Sequence, residues 1–205
     1  MIIEVCAESY EYAVKAEKAG ADRIELCKDL HLDGLTPDYE SAKKTIDTLN
    51  IPVFILIRPR AGDFIYSVEE FELMKQDILK FKEMGCKGIV SGVLNSDNSI
   101  DIKRTKELVE LSRPLEFTFH RAFDVVSEPF KEIENLIELG IDRVLTSGQK
   151  NKAIEGLELL EKLNSITKNR IKIMPGSGIN KSNIVNFRNF KEIHGSFKNE
   201  SDLKR

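Results

Sequence analysis

Two tripeptides near the N-terminus, Glu4-Val5-Cys6 and Glu25-Leu26-Cys27, each set a carboxylate and a thiol two residues apart. In an extended strand, residues two apart share a face. Each tripeptide therefore presents both groups on one side and an aliphatic residue on the other. If the two strands are parallel neighbours, two thiols and two carboxylates meet at one end of a sheet. Thiolates are soft ligands and suit an ion such as Cu(I). Carboxylates in that place suit acid–base work, provided cations keep them company when buried. A lone cysteine is more often a small buried hydrophobe than a ligand. That plain reading is taken for Cys86, beside a helix stop; for Cys6 and Cys27 the paired pattern leaves both readings open.

More chemistry follows other apolar runs. Residues 52–58 lead into Arg58-Pro59-Arg60, where Pro59 ends the strand because it cannot donate to a ladder. Two guanidiniums near the sheet end can hold a small anion or neutralise Glu4 and Glu25. Next come His120-Arg121-Ala122-Phe123-Asp124, then Thr146-Ser147-Gly148, then Pro175-Gly176-Ser177-Gly178, and finally His194 and Ser196. Gly176 and Gly178 allow close backbone approach, and N–H groups at a following helix start could cradle phosphate. The candidates are thus Glu4, Glu25, His120 and Asp124 for acid–base catalysis, and Arg58, Arg60, Ser147, Gly176, Gly178 and His194 for ligand contact. Cys6 and Cys27 are the candidates for metal. Each has a plainer alternative: ion-pair network, surface charge, satisfied core histidine or ordinary turn. There is no Cys-x-x-Cys, no His-x-x-x-His, no Walker loop and no dinucleotide fingerprint after the first strand.

Eight short apolar runs must position these groups: 2–6, 23–27, 52–58, 88–92, 115–120, 143–146, 171–174 and 192–196. Helical patterns fall between them at 10–19, 38–49, 68–84, 102–111, 128–139 and 152–163, with a short one near 181–188. A phrase recurs at Gly20-Ala21-Asp22-Arg23-Ile24, Gly85-Cys86-Lys87-Gly88-Ile89 and Gly140-Ile141-Asp142-Arg143-Val144. Each copy reads as a helix stopped by a left-handed glycine, a tight loop and a buried strand. Thr36-Pro37 reads as a helix cap with Pro at the first helical position, and Ser67-Val68-Glu69-Glu70 as a capping box. Alternating strands and helices with polar residues at nearly every strand end predict an α/β protein, a (β/α)8 TIM barrel. An open doubly wound sheet would concentrate those residues at one switch point. Only Phe197 to Arg205 follow the last strand, too few for a full covering helix. That flank is either bare until a partner subunit covers it or closed by a short turn carrying Leu203.

At 205 residues the chain fits one domain, 1–205, with room for a substantial core. With 31 basic and 34 acidic residues and net charge −3, it lacks the basic bias of a nucleic-acid binder. No apolar run is long enough to span a membrane, and the start, Met1-Ile2-Ile3-Glu4, does not read as a signal peptide. A cytoplasmic location with reduced thiols is expected.

Several stretches together resemble the CutC family of copper-homeostasis proteins. They are Glu4-Val5-Cys6, Ala21 to Cys27, Gly34-Leu35-Thr36-Pro37, Ile57-Arg58-Pro59-Arg60, Gly62-Asp63-Phe64, Thr118 to Asp124, Leu145 to Gly148 and Met174-Pro175-Gly176. The resemblance implies a TIM barrel, a cytoplasmic role linked to copper and homo-oligomers. It makes Cys6 and Cys27 the Cu(I) ligands and Glu4, Glu25, Arg58, Arg60, His120 and Asp124 the pocket. The family has no settled biochemical activity, so an enzyme of hydrolase or lyase type acting on a small anionic, carboxylated or phosphorylated metabolite stands as the alternative. Asp33, Ala61 and Ser177 stand where the family usually has glycine, and the C-terminal end looks shortened.

Overall fold

In the computed structural model, nearly every strand buries both of its faces, and the two faces do different work. The structure describes residues 1–197. The strands are β1 (Ile2–Ala7), β2 (Arg23–Leu26), β3 (Val53–Leu56), β4 (Gly88–Ser91), β5 (Glu116–Phe119), β6 (Arg143–Thr146), β7 (Lys172–Pro175) and β8 (Glu192–Gly195). The helices are α1 (Tyr10–Ala19), α2 (Tyr39–Thr48), α3 (Val68–Met84), α4 (Ile102–Ser112), α5 (Pro129–Glu138) and α6 (Leu157–Thr167). All ladders are parallel and run in the order β7-β6-β5-β4-β3-β2-β1-β8, with β7 beside β8 at the seam. This is the expected eight-stranded barrel, nearly closed. The C-terminal stretch on which the shortened end and the Leu203 turn were expected lies outside the described residues.

Outward residues such as Ile3, Val5, Ile24, Ile55, Ile89, Phe117, Val144 and Ile193 form the main aliphatic core under the helices. Inward residues divide into two zones. Toward the C-terminal end of the strands, Cys6, Cys27, Phe54, Leu56 and Val90 make a small separate apolar cluster. Below it lies a buried ionic floor. Arg23 Nε donates to Glu4 Oε2 at 2.5 Å, and its Nη2 donates to Glu192 Oε2 at 2.5 Å. Arg143 Nε reaches the same Glu192 oxygen at 2.9 Å, and its Nη2 pairs with Glu116. Lys172 Nζ, 3.2 Å from Glu192 Oε1, ties β7 to β8 across the seam. Both guanidiniums also lie against the Phe54 ring, 4.7 and 5.0 Å from its centroid.

The recurring sequence phrase builds this floor. Gly20, Gly85 and Gly140 all take positive φ, as a left-handed stop requires. Asp22 Oδ2 then accepts the Ile3 N–H at 2.8 Å, and Asp142 Oδ2 accepts the Phe117 N–H at 2.8 Å. Each aspartate caps the preceding strand, and the arginine after it turns into the barrel. The middle copy has Lys87-Gly88 instead. A Cβ on Gly88 would lie 2.5 Å from the Phe54 ring, so this copy gives up its inward arginine to make room for that ring.

Local expectations differ in three places. Helix α2 begins after Asp38, not Thr36; Thr36 is held to β3 instead, its N–H donating to the Arg58 carbonyl and its Oγ1 accepting the Arg58 N–H. Helix α6 starts at Leu157 rather than 152, because Gly156 packs on the β6 loop, where a Cβ would meet the Ser147 carbonyl at 2.0 Å. After β7 there is only a 3-10 turn, Ile184–Phe187, not a helix over 181–188. The capping box of α3 is present as read.

Removing one partner from a buried ion-pair network leaves charges unpaired and typically costs about 3–5 kcal/mol. Arg143→Met is expected to lower stability in urea unfolding by that order. A loss below about 1 kcal/mol would show that Arg23 and Lys172 suffice for Glu192.

Candidate functional site

The charged floor decides the state of the groups directly above it. Glu4 is fully buried and carries both Arg23 and His194, whose Nδ1 is 2.8 Å from Glu4 Oε1. Burial alone would raise its pKa; the Arg23 charge and the His194 bond outweigh that and bring it down to about 2. Glu25, one strand over, has no guanidinium in contact among the described residues. Burial raises it, the Glu4 charge adds to this, His194 only partly offsets both, and it ends near 7. His194 Nε2 lies 3.4 Å from Glu25 Oε2. Burial disfavours its charged form, yet the two carboxylates win and its pKa is raised.

The thiols face the same way. Cys6 Sγ and Cys27 Sγ are 3.4 Å apart. This follows from the register, in which Cys6 pairs with Glu25 and Ala7 with Leu26, so that Cys27 comes one inward position above Glu25. The Cys27 contact, burial and the nearby Glu25 charge hold the Cys6 thiol well above its ordinary pKa, hence protonated. One donor atom each from Cys6, Glu25 and His194 lies within 4.8 Å of the other two.

Above this cluster opens a cavity of about 500 Å³ at the C-terminal ends of the strands. Cys6, Glu25, Arg58, His120, Asp124, Gly178 and His194 all line it, among the sequence candidates. Glu4 and Cys27 are buried and outside the lining, in contact with His194 and Cys6 respectively. Arg58 is buried and donates to the carbonyls of Leu32, Gly34 and Gly62, with no carboxylate paired to it among the described residues. His120 follows β5 and turns inward beside Gly92, where any Cβ would meet its ring at 2.7 Å. Its Nδ1 accepts the Ala122 N–H at 3.3 Å, which leaves the proton on Nε2, an atom with no partner among the described residues. Burial and then the Arg58 charge depress its pKa to about 3.

Other candidates are engaged elsewhere. Asp124 reaches the cavity wall, but its oxygens accept from Arg121 Nε at 2.8 Å, Thr146 Oγ1 at 2.5 Å, and both N–H and Oγ of Ser147 at 2.9 Å. It ties the β5 and β6 loops together, and Ser147 is used up in the same knot, outside the cavity lining. Arg60 is also outside the lining, since Glu70, Asp63 and the Ile65 carbonyl hold it in the β3–α3 loop. Gly176 packs on Leu145 in place of a side chain. The Gly176-Ser177-Gly178 loop has no helix start to reinforce its N–H groups, since the 3-10 turn begins only at Ile184. Asp33 and Ser177 both have positive φ, the backbone region that glycine takes most readily. Sequence reading missed Arg23, Arg143 and Glu192 as the cations and shared anion of the floor. Inward alternation was the available signal: Arg23 stands two residues before Glu25, Glu192 two before His194.

Comparison with known proteins fits this geometry. The CutC family model matches residues 1–199. A family protein CutC of Histophilus somni (strain 2336) is 44% identical over 97% of this chain and 83% of its own. The human copper homeostasis protein cutC homolog is 48% identical over 89% of this chain and 67% of its own length. The crystal structure of a CutC protein from Streptococcus agalactiae superposes with a TM-score of 0.92 at 34% identity, covering 97% of this chain and all of the other. An aldolase, QR15, at TM-score 0.72 and 16% identity over 96% of this chain and 89% of its own, shares the barrel alone.

The two inward histidines should titrate in opposite senses. Between pH 6.5 and about 3 the unfolded chain binds a proton that native His120 refuses, so this group costs stability as pH falls through that window. His194 does the reverse: its contribution is full below 6.5 and is lost as pH rises through its higher folded value. Ring NMR signals are expected to show His120 neutral at about pH 5 and His194 still protonated above its ordinary midpoint. Both titrating together near 6.5 would contradict these environments.

Proposed function

The chain belongs to the CutC family, and from that premise we propose that it handles copper by taking one Cu(I) ion between Cys6 and Cys27. The observation that carries this is the 3.4 Å sulfur–sulfur separation at the floor of a cavity. Metal–sulfur bonds of about 2.3 Å would span that gap at a bent angle of roughly 95°. A modest parting of the thiols would bring it toward a trigonal arrangement, with His194 or Glu25 available on the cavity side. Soft thiolates favour Cu(I) over hard ions. The Cys6 thiol is held protonated in the free site, so binding releases a proton and weakens as pH falls.

Anaerobic titration with Cu(I) against a competing chelator tests the assignment. Cys6→Ser and Cys27→Ser are each expected to lower affinity at least ~100-fold, in the range known for lost ligand-sphere groups. Unchanged affinity in the double variant removes these thiols from the reading.

A second reading has its own observation. The cavity holds far more polarity than a two-thiol site needs, with a buried Arg58 unpaired by any carboxylate among the described residues and a His120 Nε2–H without a partner. We infer that this side favours a small anion, as for an enzyme of hydrolase or lyase type on a carboxylated or phosphorylated metabolite. A ligand that binds only the native state raises Tm by mass action. A thermal-shift screen of small carboxylates and phosphates should find at least one that stabilises the protein but not His120→Ala. If none does, the anion reading falls.

A further inference from the structure

We propose that Cys6, Glu25 and His194 form a three-donor site for a divalent cation of borderline softness, Zn²⁺ in particular, with its fourth position open to the cavity. It shares Cys6 with the Cu(I) reading above but does not need Cys27. The first argument is the donor set. One thiol, one carboxylate and one imidazole is a mixture that zinc accepts and that a purely soft ion does not select. Three protein ligands with one position open is the pattern of zinc sites that bind a further ligand, whereas four closed ligands mark structural ones.

The second argument is spacing. Zn–N and Zn–O bonds of about 2.1 Å at a tetrahedral angle put the two ligand atoms roughly 3.4 Å apart. His194 Nε2 and Glu25 Oε2 are 3.4 Å apart, and the Cys6 donor lies within 4.8 Å of both. Little rearrangement is needed to bring the three onto one ion.

The third argument is independent of the first two and concerns what stands behind the histidine. A metal-bound imidazole normally gives its other ring N–H to a carboxylate, which fixes tautomer and ring orientation. His194 Nδ1 is 2.8 Å from Glu4, and Glu4 is itself locked by Arg23 at 2.5 Å. The arrangement leaves Nε2 as the free nitrogen, on the side where Glu25 and Cys6 are. Backing of this kind is more than an isolated buried histidine needs for satisfaction, since one bond to Glu4 would serve without two further donors converging on the opposite nitrogen.

The fourth concerns the open side. Cys6, Glu25 and His194 all line the cavity, while Cys27 does not. An ion on the cavity side of Cys6 therefore meets the three donors first. Arg58 and His120 line the same cavity and suit the anionic part of a ligand whose oxygen takes the fourth position. On binding, Cys6 Sγ, His194 Nε2 and any protonated Glu25 carboxyl release their protons to solvent through the cavity, which leaves thiolate, neutral imidazole and carboxylate as the ligands.

The test uses the metal alone. Zn²⁺ affinity of the full chain is measured under anaerobic, chelator-competed conditions, and Co²⁺ serves as a spectroscopic substitute. Zn²⁺ affinity should be retained within about threefold in Cys27→Ser and fall at least ~100-fold in Cys6→Ser, Glu25→Gln and His194→Asn. The Co²⁺ protein should show thiolate charge-transfer absorption of unchanged intensity in Cys27→Ser and none in Cys6→Ser. If Cys27→Ser abolishes Zn²⁺ binding or halves the charge-transfer band, both sulfurs bind and the three-donor site is wrong. Absence of Zn²⁺ binding to the wild-type chain overturns it outright. The spectroscopic arm needs only the two serine variants, so it stands even if Glu25→Gln or His194→Asn fails to fold. The Cu(I) assignment fails on the opposite result, Cu(I) affinity indifferent to Cys27, so the two readings are separable.

Discussion

The interaction on which the rest depends is the clasp of Arg23 between Glu4 and Glu192, extended by Arg143 to Glu116. A barrel this small must fill its own interior, and the usual filling is branched aliphatics in layers. Here the lower interior is ionic, and that choice has a cost: several charges are removed from water and recover their solvation only through mutual pairing. The pairing is complete because each guanidinium spans two carboxylates and lies against the Phe54 ring as well. With such a floor, Glu4 is a fixed anion. A fixed anion orients His194, and an oriented His194 defines where Glu25 and Cys6 can meet a ligand. Replaced by aliphatics, the same barrel could be as stable and would have no reason to hold an imidazole at that angle.

The floor also separates groups that are alike in sequence. Glu4 and Glu25 occur in twin tripeptides, yet one is held near 2 and the other near 7. Arg23 causes the difference, because it meets Glu4 directly and touches Glu25 only through space. The histidines diverge in the same manner: His194 stands over two carboxylates that favour its charged form, while His120 stands near Arg58 and is held neutral. The cavity therefore has an acidic wall and a donor wall facing each other, from side chains that a list of residue types would pair differently.

Much of this was legible in the chain. Strand alternation placed Cys6, Cys27, Glu4 and Glu25 inward, and the three glycine-stopped loops marked where strands begin. Seven candidates line the cavity, and two more, Glu4 and Cys27, contact that lining at His194 and Cys6. What could not be read was which cation neutralises which anion. Arg58 and Arg60 were natural partners by position after a strand end, but loop carbonyls and the Glu70–Asp63 pair claim them. The true partners, Arg23 and Arg143, were visible only as part of a repeated phrase, whose Asp-Arg step looked like loop chemistry. Its meaning depends on register: the aspartate caps a neighbouring strand and the arginine enters the barrel, facts that exist only once strands are paired. The helix after β7 failed for a simpler reason. Residues 181–188 carry polar Asn and Ser groups that bond their own backbone in turns, as Asn180 and Asn183 do, and this competes with helix.

Charge balance links the two metal readings more closely than their different ligands suggest. In the described floor, Arg23, Arg143 and Lys172 face Glu4, Glu192 and Glu116, so it is neutral as a whole. Anything bound above it must itself come close to neutrality, since a net buried charge is costly. A divalent ion on one thiolate and one carboxylate, with neutral His194 as third ligand, meets that condition. A monovalent ion on two thiolates carries a net negative charge, which is cancelled if His194 remains protonated on Glu4, does not ligate, and Glu25 is a neutral carboxylic acid. His194 is thus the element that decides between them. As a ligand it favours a divalent ion at the cavity face, and as a cation it favours Cu(I) in the wall between the sulfurs. One barrel end can accept either ion without changing its floor, because the protons on one imidazole and one carboxyl group make up the difference in charge.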